Sequence, residues 1–229
     1  MNDRILDNQD TSSKRYSKME EIELATIFLD FDGTLVDVMP RFHAIFSEYL
    51  TQKGYPSPDV DEYRRLKQSH SYDPEIFKVL GFEIDWKDYR TWKMERVESV
   101  DYLRLDRLIG DPHQVIAQIR QKGYSVVLLS ARMEKENLML ELKWLGIHDL
   151  FDSVIVTERY EDDSKARALA GFVGEGDIIV GDSETEVIAS RELGIKHFGV
   201  ATGLRSPGFL FEQGARVVLR DYTVLPEML

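Results

Sequence analysis

The chain has no cysteine in 229 residues, which excludes both a disulfide framework and a thiolate metal site. Positive charge is scarce: 29 lysines and arginines stand against 41 aspartates and glutamates, a net charge of −12. That balance argues against a nucleic acid polymer or an anionic membrane as partner, because both need a basic footprint. It also means that a site for an anionic substrate has to supply its own local cations. Long hydrophobic runs are absent too, none approaching the roughly 18 residues of a membrane span. Residues 1–20 are polar, mixed in charge and without an apolar signal core. They read as a solvated tail, and the expected location is the cytoplasm.

What is present is a regular alternation. With 43% apolar residues, the chain can fill one large core, or one core and a smaller insert. From residue 111 onward, helical segments such as "HQVIAQIRQKG" and "EKENLMLELKWLG" alternate with short apolar runs. Those runs, "YSVVLLS", "SVIVT", "DIIVGD" and "KHFGVA", have the length of strands. "ARVVLR" reads as the last strand. Apolar strands alternating with helices predict an α/β fold, a Rossmann-like doubly wound parallel sheet covered on both faces. The opening strand, about Ala25 to Leu29, belongs to the same sheet. Residues 38–110 break the rhythm, with four helical stretches and no strand between them. They hold Phe42, Phe46, Tyr49, Tyr63, Phe77, Trp86 and Trp92, read here as a small helical core. The expected organisation is a core of residues 21–37 and 111–229 interrupted by an all-helical cap of residues 38–110.

Ligands of open parallel sheets bind outside the carboxyl ends of the strands. The first strand ends in "LDFD", with Asp30 and Asp32, and the second in "LLSAR", with Ser130, Ala131 and Arg132. Lys165 opens the helix after the third, and the fourth ends in "VGDSETE", with Asp182, Glu184 and Glu186. Taken singly, each has a plain structural reading: Asp32-Gly33 fits a hairpin turn, and "DSETE" fits a helix start. Their conjunction at four strand ends calls for chemistry. Asp30 is the natural nucleophile and Asp182 a hard oxygen ligand, a pair that suits Mg²⁺. A carboxylate attacking a phosphate meets roughly 4 kcal/mol of repulsion per charge pair near 4 Å at an effective dielectric near 20. Mg²⁺ and Lys165 would cancel it, while Ser130 and nearby amides, Ala131 included, hold phosphoryl oxygens. Asp32 is left as general acid and base, the two carboxyls dividing the roles.

At these residues the chain resembles the haloacid dehalogenase-like superfamily of aspartate-nucleophile hydrolases. "DFDGTLVD", Ser130 in "VVLLSA", Lys165 and "VGDSETE" are similar to its four motifs in order, and "ELGIKHFGVATGLRS" resembles its phosphoglycolate phosphatase-like branch. The resemblance implies a helical cap over the site, an aspartyl-phosphate intermediate, and Mg²⁺ held by Asp30, the main-chain carbonyl of Asp32 and Asp182. Glu186 stands where the family often has Asp, and is expected to reach the metal directly or through water. The presence of Asp32 favours phosphoryl transfer over dehalogenation, which needs no proton for its leaving group. The expected function is hydrolysis of a small phosphorylated metabolite. A sugar phosphomutase, for which His43 in the first cap helix would serve, and a catalytically silent binding module are the alternatives. Arg132, beside the phosphate serine, is a candidate substrate contact, as are Arg64, Arg65 and Lys67 on a solvated helix face.

Overall fold

The computed structural model describes residues 24–69, 72–158 and 163–229; the N-terminal segment read as a tail lies outside them. The first strand, β1 (Thr26–Leu29), leads through a tight turn into the two-residue β2 (Val36–Asp37). Five helices follow: α1 (Met39–Gln52), α2 (Val60–Ser69), α3 (Asp73–Val79), α4 (Trp86–Arg96) and α5 (Val100–Leu103). The chain returns through β3 (Arg107–Leu108), which pairs antiparallel with β2. It then alternates through α6 (Pro112–Gln121), β4 (Ser125–Ala131), α7 (Lys135–Trp144), β5 (Ser153–Thr157) and α8 (Ser164–Leu169). The last elements are β6 (Ile178–Gly181), α9 (Glu184–Leu193), β7 (Lys196–Val200), α10 (Pro207–Glu212), β8 (Val218–Leu219) and α11 (Leu225–Met228).

Six strands form one parallel sheet in the order β5-β4-β1-β6-β7-β8. From β1 the chain builds outward through β4 and β5, then crosses to the other side of β1 for β6, β7 and β8. The carboxyl end of β1 is therefore the topological switch point, where open α/β sheets bind their ligands. The pleat sorts the apolar runs between two faces, because successive side chains alternate. Ile27, Leu29, Val126, Leu128, Ile178 and Val180 enter the larger core. Phe28, Leu129 and Ile179 enter the smaller one behind the sheet, with Ala166 and Leu169 of α8 and Ala189 of α9. Burial on both faces is why these strands read as continuous apolar runs rather than alternating ones.

The segment expected to be all-helical does contain one strand, β3. Its pairing with β2 is short because it is a two-stranded neck, extended by the Ile109 amide donating to the Leu35 carbonyl at 2.9 Å. β8 also spans only two residues of the six in "ARVVLR". The helices beyond the neck pack around aromatic rings, as their composition suggested. Phe46 stacks on Phe77 at 5.2 Å between centroids, and Phe77 meets Tyr89 edge-on at 4.9 Å. Trp92 anchors its indole by donating to the Ile45 carbonyl at 3.1 Å. Trp86, by contrast, stays on the surface.

Phe46 sits fully buried at the centre of that ring cluster. Phe46→Ala is expected to cost about 3–5 kcal/mol, whereas Trp86→Ala should cost under about 1 kcal/mol. Urea unfolding of the two variants checks this; equal midpoints would show that the cluster does not hold the helices together.

Candidate active site

Asp30 leaves β1 at the switch point with its backbone fixed, its amide donating to the Val180 carbonyl of β6 at 2.9 Å. One carboxylate oxygen accepts from Lys165 Nζ at 2.6 Å, and the other is reached by Thr34 Oγ1 at 3.4 Å. Lys165, buried in the first turn of α8, also bonds Glu186. Burial would lower the Lys165 pKa, but the flanking Asp30 and Glu186 carboxylates outweigh it and hold the ammonium charged. Burial pushes the Asp30 carboxyl up to about 7 in spite of Lys165. Asp182, past the end of β6, is driven well above the carboxylate range by burial and then by Asp30 and Glu186.

Asp182 is wedged in place. Its Oδ2 accepts from the Leu204 amide at 2.9 Å. A Cβ on Gly203 would lie 1.7 Å from that oxygen, and one on Gly33 2.7 Å from it. Gly33 also takes a φ of +79°, which bulkier residues resist. These two glycines belong to the site, although only their lack of a side chain shows it.

Glu186 has a different place from the one expected. Its Oε2 accepts from the Ser183 amide at 3.0 Å and from Ser183 Oγ at 2.7 Å, a reciprocal cap on α9, while Oε1 meets Lys165. Both oxygens are thus engaged by the helix start and the lysine. Ser130 is fully buried, its hydroxyl without a hydrogen-bond partner among the described residues. Ala131 lines the cavity in front of Asp30.

Asp32 projects from the turn after β1 and is gripped by arginines. Arg132 donates from Nε to Oδ2 at 2.5 Å and from Nη2 to Oδ1 at 2.7 Å, a fork that fixes the carboxylate plane. Arg41, from α1, bonds the same Oδ1. Behind them lie two buried acids: Glu141 Oε2 accepts from Arg132 at 3.1 Å, and Asp106 lies 3.2 Å from Arg41 Nε. Arg132 is therefore a partner of Asp32 buried behind the site, not a wall of the cavity. His43 also stays off the cavity, its Nε2 donating to the Pro58 carbonyl at 2.8 Å within the helical insert.

Asp30, Asp32, Ala131, Lys165 and Asp182 share one cavity of about 440 Å³, which Phe42, Lys67, Tyr72 and Lys93 of the insert also line. Of the three basic residues considered on α2, only Lys67 is in this wall; Arg64 instead pairs with Asp37 at 2.7 Å. Arg41, Asp106 and Glu141 were missed in the sequence, although a signal existed. Glu141 interrupts the stripe of Leu138, Leu142 and Leu145, where a charge has no packing role.

A doubly wound sheet with paired aspartates at its switch point and a lysine buried against the first is the frame of a carboxylate-based hydrolase. The model of the haloacid dehalogenase-like hydrolases matches residues 27–200, and the chain belongs to that family. Within it the chain is a phosphoglycolate phosphatase-like hydrolase. It is 28% identical over 186 residues to a phosphoglycolate phosphatase of Synechococcus elongatus, covering 79% of this chain and 85% of that one. It is 22% identical to the pyrophosphatase PpaX of Halalkalibacterium halodurans, over 91% and 96% of the two chains. A haloacid dehalogenase-like family hydrolase from Streptococcus pneumoniae has the same fold, with a TM-score of 0.63 at 21% identity over 90% and 99%.

The buried acids make stability depend on pH. Burial raises Asp106 to about 8, outweighing Arg41, as it raises Asp30 to about 7. The folded chain keeps protons that the unfolded chain releases near pH 4, so these groups destabilise it as pH climbs from there to about 8. His197, whose pKa burial pulls down from 6.5 to about 4, acts in the opposite sense below 6.5. Melting in chelator should therefore move to lower temperature between pH about 6.5 and about 8, and Asp106→Asn should flatten the slope. A Tm that rises over that interval would mean these carboxyls are already ionised in the folded protein.

Proposed function

We propose that this chain is a Mg²⁺-dependent phosphomonoester hydrolase of small phosphorylated metabolites, working through an aspartyl phosphate on Asp30. The observation that carries the reading is the buried Asp30–Lys165 contact at 2.6 Å on the wall of a cavity shared with Asp32. Lys165 draws negative charge off the attacking carboxylate's surroundings, so that a phosphate can approach it. Asp30 then attacks phosphorus, and the leaving oxygen takes its proton from Asp32. In the second half Asp32 takes a proton from the water that splits the acyl phosphate, which restores Asp30. The Ser130 hydroxyl and the Ala131 amide are the groups offered to the phosphoryl oxygens. The helical insert serves as the cap that limits water in the cavity.

The residues present fit a hard divalent cation. Burial lifts the Asp30 and Asp182 carboxyls and Lys165 offsets it only in part, a cost that a bound cation would relieve. No three acidic or histidine side chains converge on one point among the described residues. Asp30, Asp182 and the main-chain carbonyl of Asp32 would be the protein ligands, water supplying the rest, a set of oxygens that suits Mg²⁺. Bound there, Mg²⁺ would supply the positive charge that offsets the repulsion between carboxylate and phosphate. The phosphomutase reading loses its candidate residue, since His43 bonds within the insert and not into the cavity.

Phosphate release from a panel of phosphorylated metabolites, with and without Mg²⁺, tests the proposal. Asp30→Asn should remove turnover, because the uncatalysed reaction is slower by factors of up to ~10²¹. Asp32→Asn should slow alkyl phosphates far more than nitrophenyl phosphate, whose leaving group needs no proton. Equal losses on both would contradict the role given to Asp32. Release without a phosphorylated activator would exclude the mutase.

A further inference from the structure

A second cavity lies at the amino ends of β7 and β8, the end of the sheet remote from Asp30. It forms where the second half of α9, the start of β7 and the segment between α10 and β8 come together. Its volume is about 550 Å³, against about 440 Å³ at the candidate active site, and the two cavities share no lining residue. The walls are apolar at Val187, Ile195 and Val217, and Arg191 and Arg216 stand among them. No aspartate or glutamate lines this cavity, in a chain whose acids outnumber its lysines and arginines by 41 to 29.

Neither arginine forms a salt bridge or a side-chain hydrogen bond with any described residue. Lys196, also at the cavity, is different: its ammonium sits 4.5 Å over the Phe198 ring. Residues two apart on a strand share a face, so that charge belongs to the other side of the sheet. His197 points towards α9 instead. Its imidazole is kept neutral by burial, and both ring nitrogens are buried with no partner among the described residues. Glu186 is near enough to act on the ring through its charge, but that carboxylate is engaged by Lys165 and Ser183. The large majority of buried polar atoms in native proteins have a partner. A ring that served packing alone would not need two nitrogens. The cavity thus presents two unpaired guanidinium groups, an unsatisfied imidazole and apolar walls.

We propose that this cavity is a binding site, separate from the catalytic one, for a phosphorylated small molecule with a planar apolar body, a nucleoside monophosphate by chemical class. Arg191 and Arg216 receive the phosphoryl group, for which the planar guanidinium is the matching donor. Val187, Ile195 and Val217 cover the base, and His197 meets its polar edge. A bare inorganic anion would leave most of the 550 Å³ unfilled and the apolar walls unused. The inference does not depend on the chemistry proposed for Asp30.

Calorimetric titration of the whole protein with AMP, ribose 5-phosphate and inorganic phosphate tests this. Chelator is present throughout, so that the proposed Mg²⁺-dependent hydrolysis cannot consume the ligands. AMP should bind about tenfold or more tightly than ribose 5-phosphate, which lacks the base. Arg191→Met and Arg216→Met should each weaken AMP by about tenfold or more, the loss expected of a hydrogen bond to a charged group. Both arginines are exposed, so these variants carry the test even if His197→Phe fails to fold. His197→Phe, where folded, should weaken AMP and leave ribose 5-phosphate unchanged. No binding of AMP by the wild-type protein overturns the site. AMP binding that survives both arginine substitutions places the ligand elsewhere and overturns it as well. Equal affinity for AMP and inorganic phosphate overturns the ligand class. Phosphate release with Mg²⁺ is measured separately, so a failure of the phosphatase reading is distinguishable from a failure of this one.

Discussion

The Lys165 ammonium, buried between Asp30 and Glu186, is the interaction on which the sheet edge depends. Three buried carboxylates, Asp30, Asp182 and Glu186, raise one another's electrostatic cost, and each is at most 5% exposed. At an effective dielectric near 20, each close pair of like charges costs a few kcal/mol, and burial adds to it. Lys165 lowers that cost for two of the three. It is placed by Glu186, and Glu186 is placed by the Ser183 cap that begins α9. A helix start thus positions a carboxylate, the carboxylate a lysine, and the lysine the candidate nucleophile. Asp182 is the acid that no cation touches directly among these contacts, and its raised pKa follows from that.

The parts of this arrangement that could be read in the sequence are those set by local pattern. Strands β1, β4 and β6 are buried on both faces, so their apolar runs were plain. Asp30, Asp32, Lys165 and Asp182 were legible because each lies just past a strand end or at the start of the helix that follows, and the sheet brings such positions together. At Glu186 "SETE" carries the spacing of a capping box, in which the glutamate turns back on its own helix. Arg132 was read only as a possible substrate contact beside Ser130, and its bonds to Asp32 and Glu141 were not legible. Its partners are 9 and 100 residues away, and no local pattern specifies which of two directions a long side chain takes. The two-residue strands β2 and β3 were invisible for a similar reason: pairing across 70 residues of chain, not propensity, makes them strands.

The insert and the core are joined at more than the β2–β3 neck. Arg41 leaves α1 to donate both to the Val97 carbonyl, where the chain returns from α4, at 2.9 Å, and to Asp32 of the core. Glu98, one residue on, accepts from the Met133 and Glu134 amides at the turn after β4. The outgoing helix, the returning segment and the loop that carries Arg132 are therefore tied to one another around the Asp32 carboxylate.

This has a consequence for proton transfer. Asp32 accepts three guanidinium bonds, which hold its carboxylate in one orientation. An ionised carboxylate can serve as the base that activates water, but donating a proton to a leaving oxygen requires that it first take one up. Arg41 is attached to the insert and Arg132 to the core, so any shift of α1 relative to β1 changes one of the two grips without the other. Asp106 lies behind Arg41 and Glu141 behind Arg132, each a buried carboxyl within 3.2 Å of its arginine. The charge cluster at the neck thus ties the insert to the core through Asp32, a residue of the cavity wall.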